Sequence, residues 1–301
     1  MVTLDNMEKT IIIAEVGLNY AYGEDQSKFI ENAKALIDVA AVSGADYVKF
    51  QKRTPELCIP LAEREKIKSV PWRKEETTYF QYKLDIEFTK DQYREIDDYC
   101  TSKGIKWFAS VWDKGAVDFM RGFETILPNG KWGTMTKIPS ALINDLELVD
   151  YARSSAEFLL ISTGMSTQKE IDSAIQVGLP DVVFHTNSTY PAPIEELNLE
   201  YITYLKHISI EFEKKFKIGY SSHERSIVTC ASSILYGATW VERHITLDRN
   251  LWGSDQLSSS DLPEFALLIK NIREIESSRG TYGLRKVLKS ELAKRKTLRG
   301  K

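Results

Sequence analysis

The 301-residue chain has only three cysteines and four histidines, and no apolar run close to the roughly 20 residues that span a bilayer. Each shortage excludes something. Cys58, Cys100 and Cys230 are odd in number, far apart and without a CxxC pair, which argues against a disulfide framework and a cysteine-based zinc site and leaves them reduced and structural. A net charge of −3 gives no footprint for nucleic acid, so an anionic ligand must be held by a local cluster. The opening MVTLDNMEKT lacks the charged-then-apolar layout of a secretory signal. A cytoplasmic protein with no membrane or nucleic-acid partner is expected. Neither GxGxxG nor GxxxxGK follows the first strand-like run, which counts against an open nucleotide-binding sheet.

What the sequence does contain is repetition of one kind of unit. Short runs rich in β-branched and aromatic residues recur eight times: IIIAEVG, ADYVKFQ, IKWFASV, TMTKI, EFLLIST, DVVFHT, FKIGYSS and ATWVERH. Between most of them lie segments of helical periodicity, several closed by Gly as in SGAD, SKGI and YGAT. Eight near-continuous apolar strands alternating with helices read as a parallel sheet buried on both faces, an α/β fold that closes most simply as a (β/α)8 TIM barrel. An open doubly wound sheet is the alternative. Barrels commonly run to about 250 residues as one domain, so residues 1–280 form one catalytic unit and 281–301 a basic C-terminal arm. Residues 52–88, after the second strand, are too long for a plain connection and read as a rim excursion with short helices of its own.

In such barrels the C-terminal strand ends share one mouth, and polar residues gather where these apolar runs stop. Glu15 ends the first, Lys49 and Gln51 the second, Ser110 the third, and Lys137 with Ser140 the fourth. Ser162 and Thr163 end the fifth, and His185, Asn187 and Ser188 the sixth; Ser221 and His223 close the seventh, and Glu242 and His244 the eighth. Strand alternation points Lys49 and Lys137 inward. Buried lysines need an anion or a depressed pKa. One lysine could form a Schiff base; two lysines with several serines look more like a cradle for a phosphate and a carboxylate, and either could instead pair with Glu15 or Glu242. His223 and His244, with Glu15 and Asp255 nearby, would suit an incompletely coordinated divalent cation. His185 sits too deep for a ligand, and His207 reads as surface helix.

The motifs IIIAEVGLNY, GADYVKFQ, KIPSALIND, ISTGMST, NSTYPAPIEELNL, IGYSSH and VERHITLDRNLWGSDQ follow the order found in the sialic acid synthase (NeuB-like) family, which the chain resembles from about residue 10 to 275. The resemblance implies a barrel that condenses phosphoenolpyruvate with the open-chain aldehyde of a hexosamine such as N-acetylmannosamine, aided by a divalent metal, Mn2+ above Mg2+ or Co2+, in a homodimer. It assigns His223 and His244 to the metal, and Glu15 to the acceptor aldehyde. Lys49 and Lys137, with Ser140, Ser162 and Ser221, go to phosphoenolpyruvate; Gln51, Tyr190 and Asp255 go to the acceptor. Ser110 stands where many members have Thr. Leu142 replaces a Glu that grips acceptor hydroxyls, GSDQ replaces the usual GPDH, and no antifreeze-like domain follows. Acceptor recognition is therefore expected to differ. A related synthase using a phosphorylated sugar is the main rival, with Lys52, Arg53 or Arg73 available for a second phosphate. A non-catalytic barrel scaffold and a zinc hydrolase are the others.

Overall fold

In the computed structural model, which describes residues 9–212, 214–280 and 283–299, eight parallel strands close into a barrel. They are β1 Ile11–Gly17, β2 Tyr47–Lys52, β3 Lys106–Val111, β4 Met135–Ile138, β5 Phe158–Ser162, β6 Val182–Thr186, β7 Lys217–Ser222 and β8 Trp240–His244. β8 returns to pair with β1, setting His244 beside Glu15. The open-sheet alternative is thereby excluded. Around the barrel run α1 Phe29–Ser43, α2 Lys90–Ser102, α3 Lys114–Met120, α4 Leu146–Ser155, α5 Gln168–Gly178, α6 Glu200–Ile208, α7 Ile227–Tyr236 and α8 Leu262–Ser278. Capping boxes start α2 (Thr89 with Gln92) and α5 (Thr167 with Glu170), while α1 and α7 stop at Gly44 and Gly237 in left-handed conformation. Helix α8 packs against both α1 and α7 and completes the ring.

The two-residue period of the strands explains where the chemistry sits. Ile13, Tyr47, Phe108, Met135, Leu160 and Trp240 point inward and fill the barrel with a second, separate apolar cluster that also holds Phe184. The ring of Phe184 occupies space opposite Gly219, where a Cβ would meet its atoms at 2.4 to 2.7 Å. Two residues further along the same strands, the inward positions become Glu15, Lys49, Ser110, Lys137, Ser162 and Glu242. An aromatic floor therefore lies directly beneath a charged layer.

The excursion after β2 has the expected short helices, Pro55–Cys58, Leu61–Arg64 and Tyr79–Asp85, and a small ribbon pairing Ile67–Lys68 with Thr77–Thr78. Its aromatic face packs on the loop after β8: Trp252 lies edge-on to Trp72 and Tyr82, at 5.1 and 5.8 Å between centroids. In the arm, the helix Leu292–Arg299 has no buried residue; residues 281, 282, 300 and 301 lie outside the described residues. Among the described residues no helix is long and apolar enough to cross a membrane.

Candidate active site

The charged layer opens into a cavity of about 660 Å3 at the C-terminal strand ends. Its ionisable groups alternate in sign. Lys49 Nζ lies 2.8 Å from Glu15 Oε2 and 3.6 Å from Glu242 Oε1, and Lys137 Nζ donates to both oxygens of Glu242 at 2.8 and 2.9 Å. The lysines thus face the mouth as expected, and both also pair with carboxylates. Lys137 further rests over the Phe184 ring at 4.2 Å.

The surroundings pull these groups apart. Burial alone would raise Glu242, but the ammonium groups of Lys137 and Lys49 outweigh it and bring the carboxyl down to about 2. Burial pushes Lys137 down to about 8 against the pull of Glu242. For Glu15, burial and the charge of Glu242 win over Lys49 and raise its pKa, whereas burial of Lys49 is overcome by its two carboxylates, which raise it. Glu242 is the permanent anion of the set, and Glu15 is the carboxyl most ready to hold a proton.

His223 and His244 face each other across the rim with ring centroids 5.5 Å apart. Nδ1 of His223 lies 2.6 Å from the Asn187 carbonyl, so it carries the proton, and Nε2 accepts the Tyr190 hydroxyl at 2.9 Å. Burial, then His244, lowers the pKa of His223 to about 3, which keeps the ring neutral. Tyr190 stacks on it at 4.1 Å. Nδ1 of His244 is buried without a hydrogen-bond partner, 4.0 Å from Asp255 Oδ2. A neutral imidazole oriented through a carbonyl, beside a second ring with an orphaned nitrogen, fits a divalent cation's needs. Among the described residues no three His, Cys, Asp or Glu side chains converge as a metal cage, so protein ligands would number two.

One guanidinium fixes both histidines. Arg243, fully buried between Glu242 and His244 in sequence, donates through Nε to Ser260 Oγ at 3.0 Å and through Nη1 to Ser222 Oγ at 2.7 Å and to the Glu224 carbonyl. Its Nη2 reaches the Arg225 carbonyl at 3.2 Å. These contacts brace the chain on either side of His223.

Hydroxyls line the wall across the barrel from β1. Ser140 Oγ accepts the Gly164 N–H at 3.1 Å, Ser162 Oγ is buried with no partner, and Ser188 lies beside them. A Cβ on Gly164 would come 2.1 Å from Ser188 Oγ and 2.9 Å from Ser140 Oγ. Gly164→Ala is expected to push both hydroxyls aside and weaken binding of an anion there about tenfold, as read by equilibrium titration. Ser110 and Ser221 also reach the cavity, Ser221 donating to Glu242 at 3.0 Å, and Gln51 Nε2 donates to Glu15 Oε1 at 3.2 Å.

Two expectations need correction. Asn187 does not line the cavity: its amide serves the Glu196 carbonyl and the Thr189 N–H, and only its own carbonyl acts, on His223. Asp255 stands behind His244 rather than on the cavity wall. Leu142 turns into a side pocket with Leu57, Cys58 and Leu148. Trp112 and Gly164 were not among the expected site residues, and Glu242 was expected only at its strand end, as a possible partner for a lysine. Alternation would have placed Glu242 on the face of His244 and Trp112 on that of Ser110; nothing local marked Gly164. His185 bonds the Leu197 carbonyl away from the cavity and His207 is exposed on α6.

Fold and site together define a (β/α)8-barrel enzyme whose ionisable groups converge at the strand C-termini. The chain belongs to the NeuB family, whose profile matches residues 36–283. It is 30% identical over 296 residues to the N,N'-diacetyllegionaminic acid synthase of Campylobacter jejuni, covering 95% of this chain and 81% of that one. It is 33% identical over 279 residues to the human N-acetylneuraminate-9-phosphate synthase, covering 90% and 71%. The crystal structure of the N-acetylneuraminic acid synthetase of Leptospira borgpetersenii serovar Hardjo-bovis, in complex with citrate, superposes with a TM-score of 0.77 at 27% identity over 100% of this chain and 98% of that one. The chain is an enzyme of the nonulosonic acid synthase kind.

Proposed function

We propose that this enzyme condenses phosphoenolpyruvate with the open-chain aldehyde of a hexosamine-like aldose, giving a nine-carbon 2-keto acid and inorganic phosphate. The observation that carries the reading is the pairing of two strand-end lysines with two carboxylates, faced by unspent serine hydroxyls and bordered by two imidazoles. The acid products in the relatives' names, and the citrate in the solved structure, support an anion-handling mouth.

In this reading C3 of phosphoenolpyruvate bonds to the aldehyde carbon, water adds at C2, and phosphate leaves as C2 becomes a ketone. Lys137 and Lys49 hold the phosphate and carboxylate. Glu242 carries one negative charge against their two, so the added anion is met by the lysines together with the hydroxyls of Ser140, Ser162 and Ser188, fixed before it arrives. Glu15, whose pKa is raised by burial and the charge of Glu242, exchanges a proton with the acceptor oxygen. Nε2 of His223 and the ring of His244 would hold a divalent ion, Mn2+ first and Mg2+ or Co2+ next, which when bound would supply Lewis-acid polarisation of that aldehyde oxygen. The Tyr190 hydroxyl is then free to bond the acceptor.

The test is phosphate release by purified enzyme given phosphoenolpyruvate, Mn2+ and a panel of aldoses, with the product's mass determined. Release is expected only with both substrates, lost on chelation and restored by Mn2+. Full turnover after stripping would refute the metal assignment, and release without any aldose would refute the condensation.

A further inference from the structure

The loops that follow β1 and β8 are joined outside the cavity by a sealed network of amides and hydroxyls. Asn19 is 2% exposed and Gln256 is fully buried, and neither lines the cavity. Asn19 Nδ2 uses both its hydrogens between the loops, donating to the Ile245 carbonyl at 2.9 Å and to Ser259 Oγ at 2.8 Å. Gln256 is engaged at both ends of its amide. Its Oε1 accepts from Thr246 Oγ1 at 2.5 Å, and its Nε2 donates to the carbonyls of Asn19 and Trp252, both at 3.3 Å.

The network ends on three groups around the mouth. The Ile245 carbonyl belongs to the residue after His244, whose own carbonyl accepts the Ser260 N–H at 2.9 Å. Ser259 Oγ, gripped by Asn19, donates to the Asp255 carbonyl at 2.7 Å and so fixes the residue whose carboxylate stands 4.0 Å from His244 Nδ1. The Trp252 carbonyl carries the restraint to the side chain that packs on Trp72 and Tyr82 of the excursion. Gly17, left-handed at φ 54°, closes on the imidazole itself: a Cβ there would come 3.1 Å from His244 Cε1 and 3.2 Å from Nδ1. Backbone from both loops therefore holds a ring whose Nδ1 has no hydrogen-bond partner.

We propose that Asn19 and Gln256 are positioning residues: through backbone carbonyls they set where the His244 ring and the Asp255 carboxylate stand, and they tie that placement to the excursion. This rests on the reading of His223 and His244 as the pair that holds an ion. An imidazole nitrogen left free for an ion is not oriented by a hydrogen bond of its own, so its aim depends on the chain that carries it. A primary amide offers one acceptor and two donors, all of which Gln256 uses, whereas a neutral imidazole offers one of each. The Gln of GSDQ, standing where the usual GPDH has His, thus makes one bond more than an imidazole could, and makes it within the loops rather than to the acceptor.

The experiment titrates Mn2+ and, separately, phosphoenolpyruvate by calorimetry into the wild type, Asn19→Leu, Gln256→Leu, Gln256→His and Ser259→Ala, and follows the four histidine rings by nitrogen NMR. Asn19→Leu and Gln256→Leu are expected to weaken Mn2+ binding about tenfold or more. Phosphoenolpyruvate affinity should stay within about twofold, because none of these hydrogen bonds reaches the lysines or the serines that take that anion. Gln256→His, which keeps an acceptor for Thr246 and one donor, should recover most of the loss. The His244 ring signal should move in the leucine variants while those of His185 and His207 stay. Ser259→Ala, the mildest change, should weaken Mn2+ binding about threefold and carries the test where a leucine variant fails to fold. Variants that bind Mn2+ as the wild type does, or that lose Mn2+ and phosphoenolpyruvate by one common factor, would overturn the positioning role. If the wild type itself binds no Mn2+, the ion assignment fails and the ring signals decide: a His244 signal displaced in Asn19→Leu or Ser259→Ala upholds the network's role, and an unmoved one overturns it.

Discussion

Lys137→Met is expected to lower phosphoenolpyruvate-dependent phosphate release by about 10²- to 10³-fold, the range seen when one preorganised donor to a developing charge is removed. The same change strips the buried Glu242 of the ammonium that holds both its oxygens, leaving Lys49 at 3.6 Å as its remaining cation. Breaking a buried pair from one side costs roughly 3–5 kcal/mol. Two variants separate the effects. Adding Glu242→Gln to Lys137→Met should return most of the lost thermal stability, because no unpaired charge is left inside, yet turnover should stay low. Recovery of turnover in the double variant would mean that Lys137 serves only to neutralise Glu242. The pH profile gives a second check. The folded pKa of Lys137 is depressed to about 8, so the ammonium is present below that pH, and kcat/KM for phosphoenolpyruvate should fall as pH rises through it.

Arg243→Met is expected to lower stability on the order of 4 kcal/mol, since hydrogen bonds to the carbonyls of Glu224 and Arg225 and to two serine hydroxyls vanish from a sealed site. In a chain of this size that is roughly a 6 °C fall in Tm. Arg243→Lys should recover part of it, because an ammonium can serve some of those acceptors but cannot span them. A melting temperature unchanged in Arg243→Met would show that the braces around His223 hold without the guanidinium.

Much of the barrel was legible because its strands are buried on both faces and therefore apolar from end to end, and because period-two alternation carries each inward residue into the next layer. That is why Glu15, Lys49, Ser110, Lys137, Ser162, Ser221, His223 and His244 meet in one cavity. The pairing of Lys137 with Glu242 stood only as one alternative among several, because the residues are 105 apart in sequence and meet only across the closed barrel. Asn187 was misread because a residue beyond a strand end no longer obeys alternation; its backbone, rather than its amide, does the work. The excursion yielded its short helices to pattern, but the pairing of its Lys52 and Arg73 depends on Glu87 and Asp85, which only the folded rim brings near.

The packed plug of Tyr47, Phe108, Phe184 and Trp240 under the charges has a consequence for protons. With this apolar packing below, hydrogen ions are expected to enter and leave through the open end. Once a reactant stoppers that end, every transfer becomes an internal trade among the resident acids and bases and the bound molecules, and deuterium from the solvent gains entry only between turnovers.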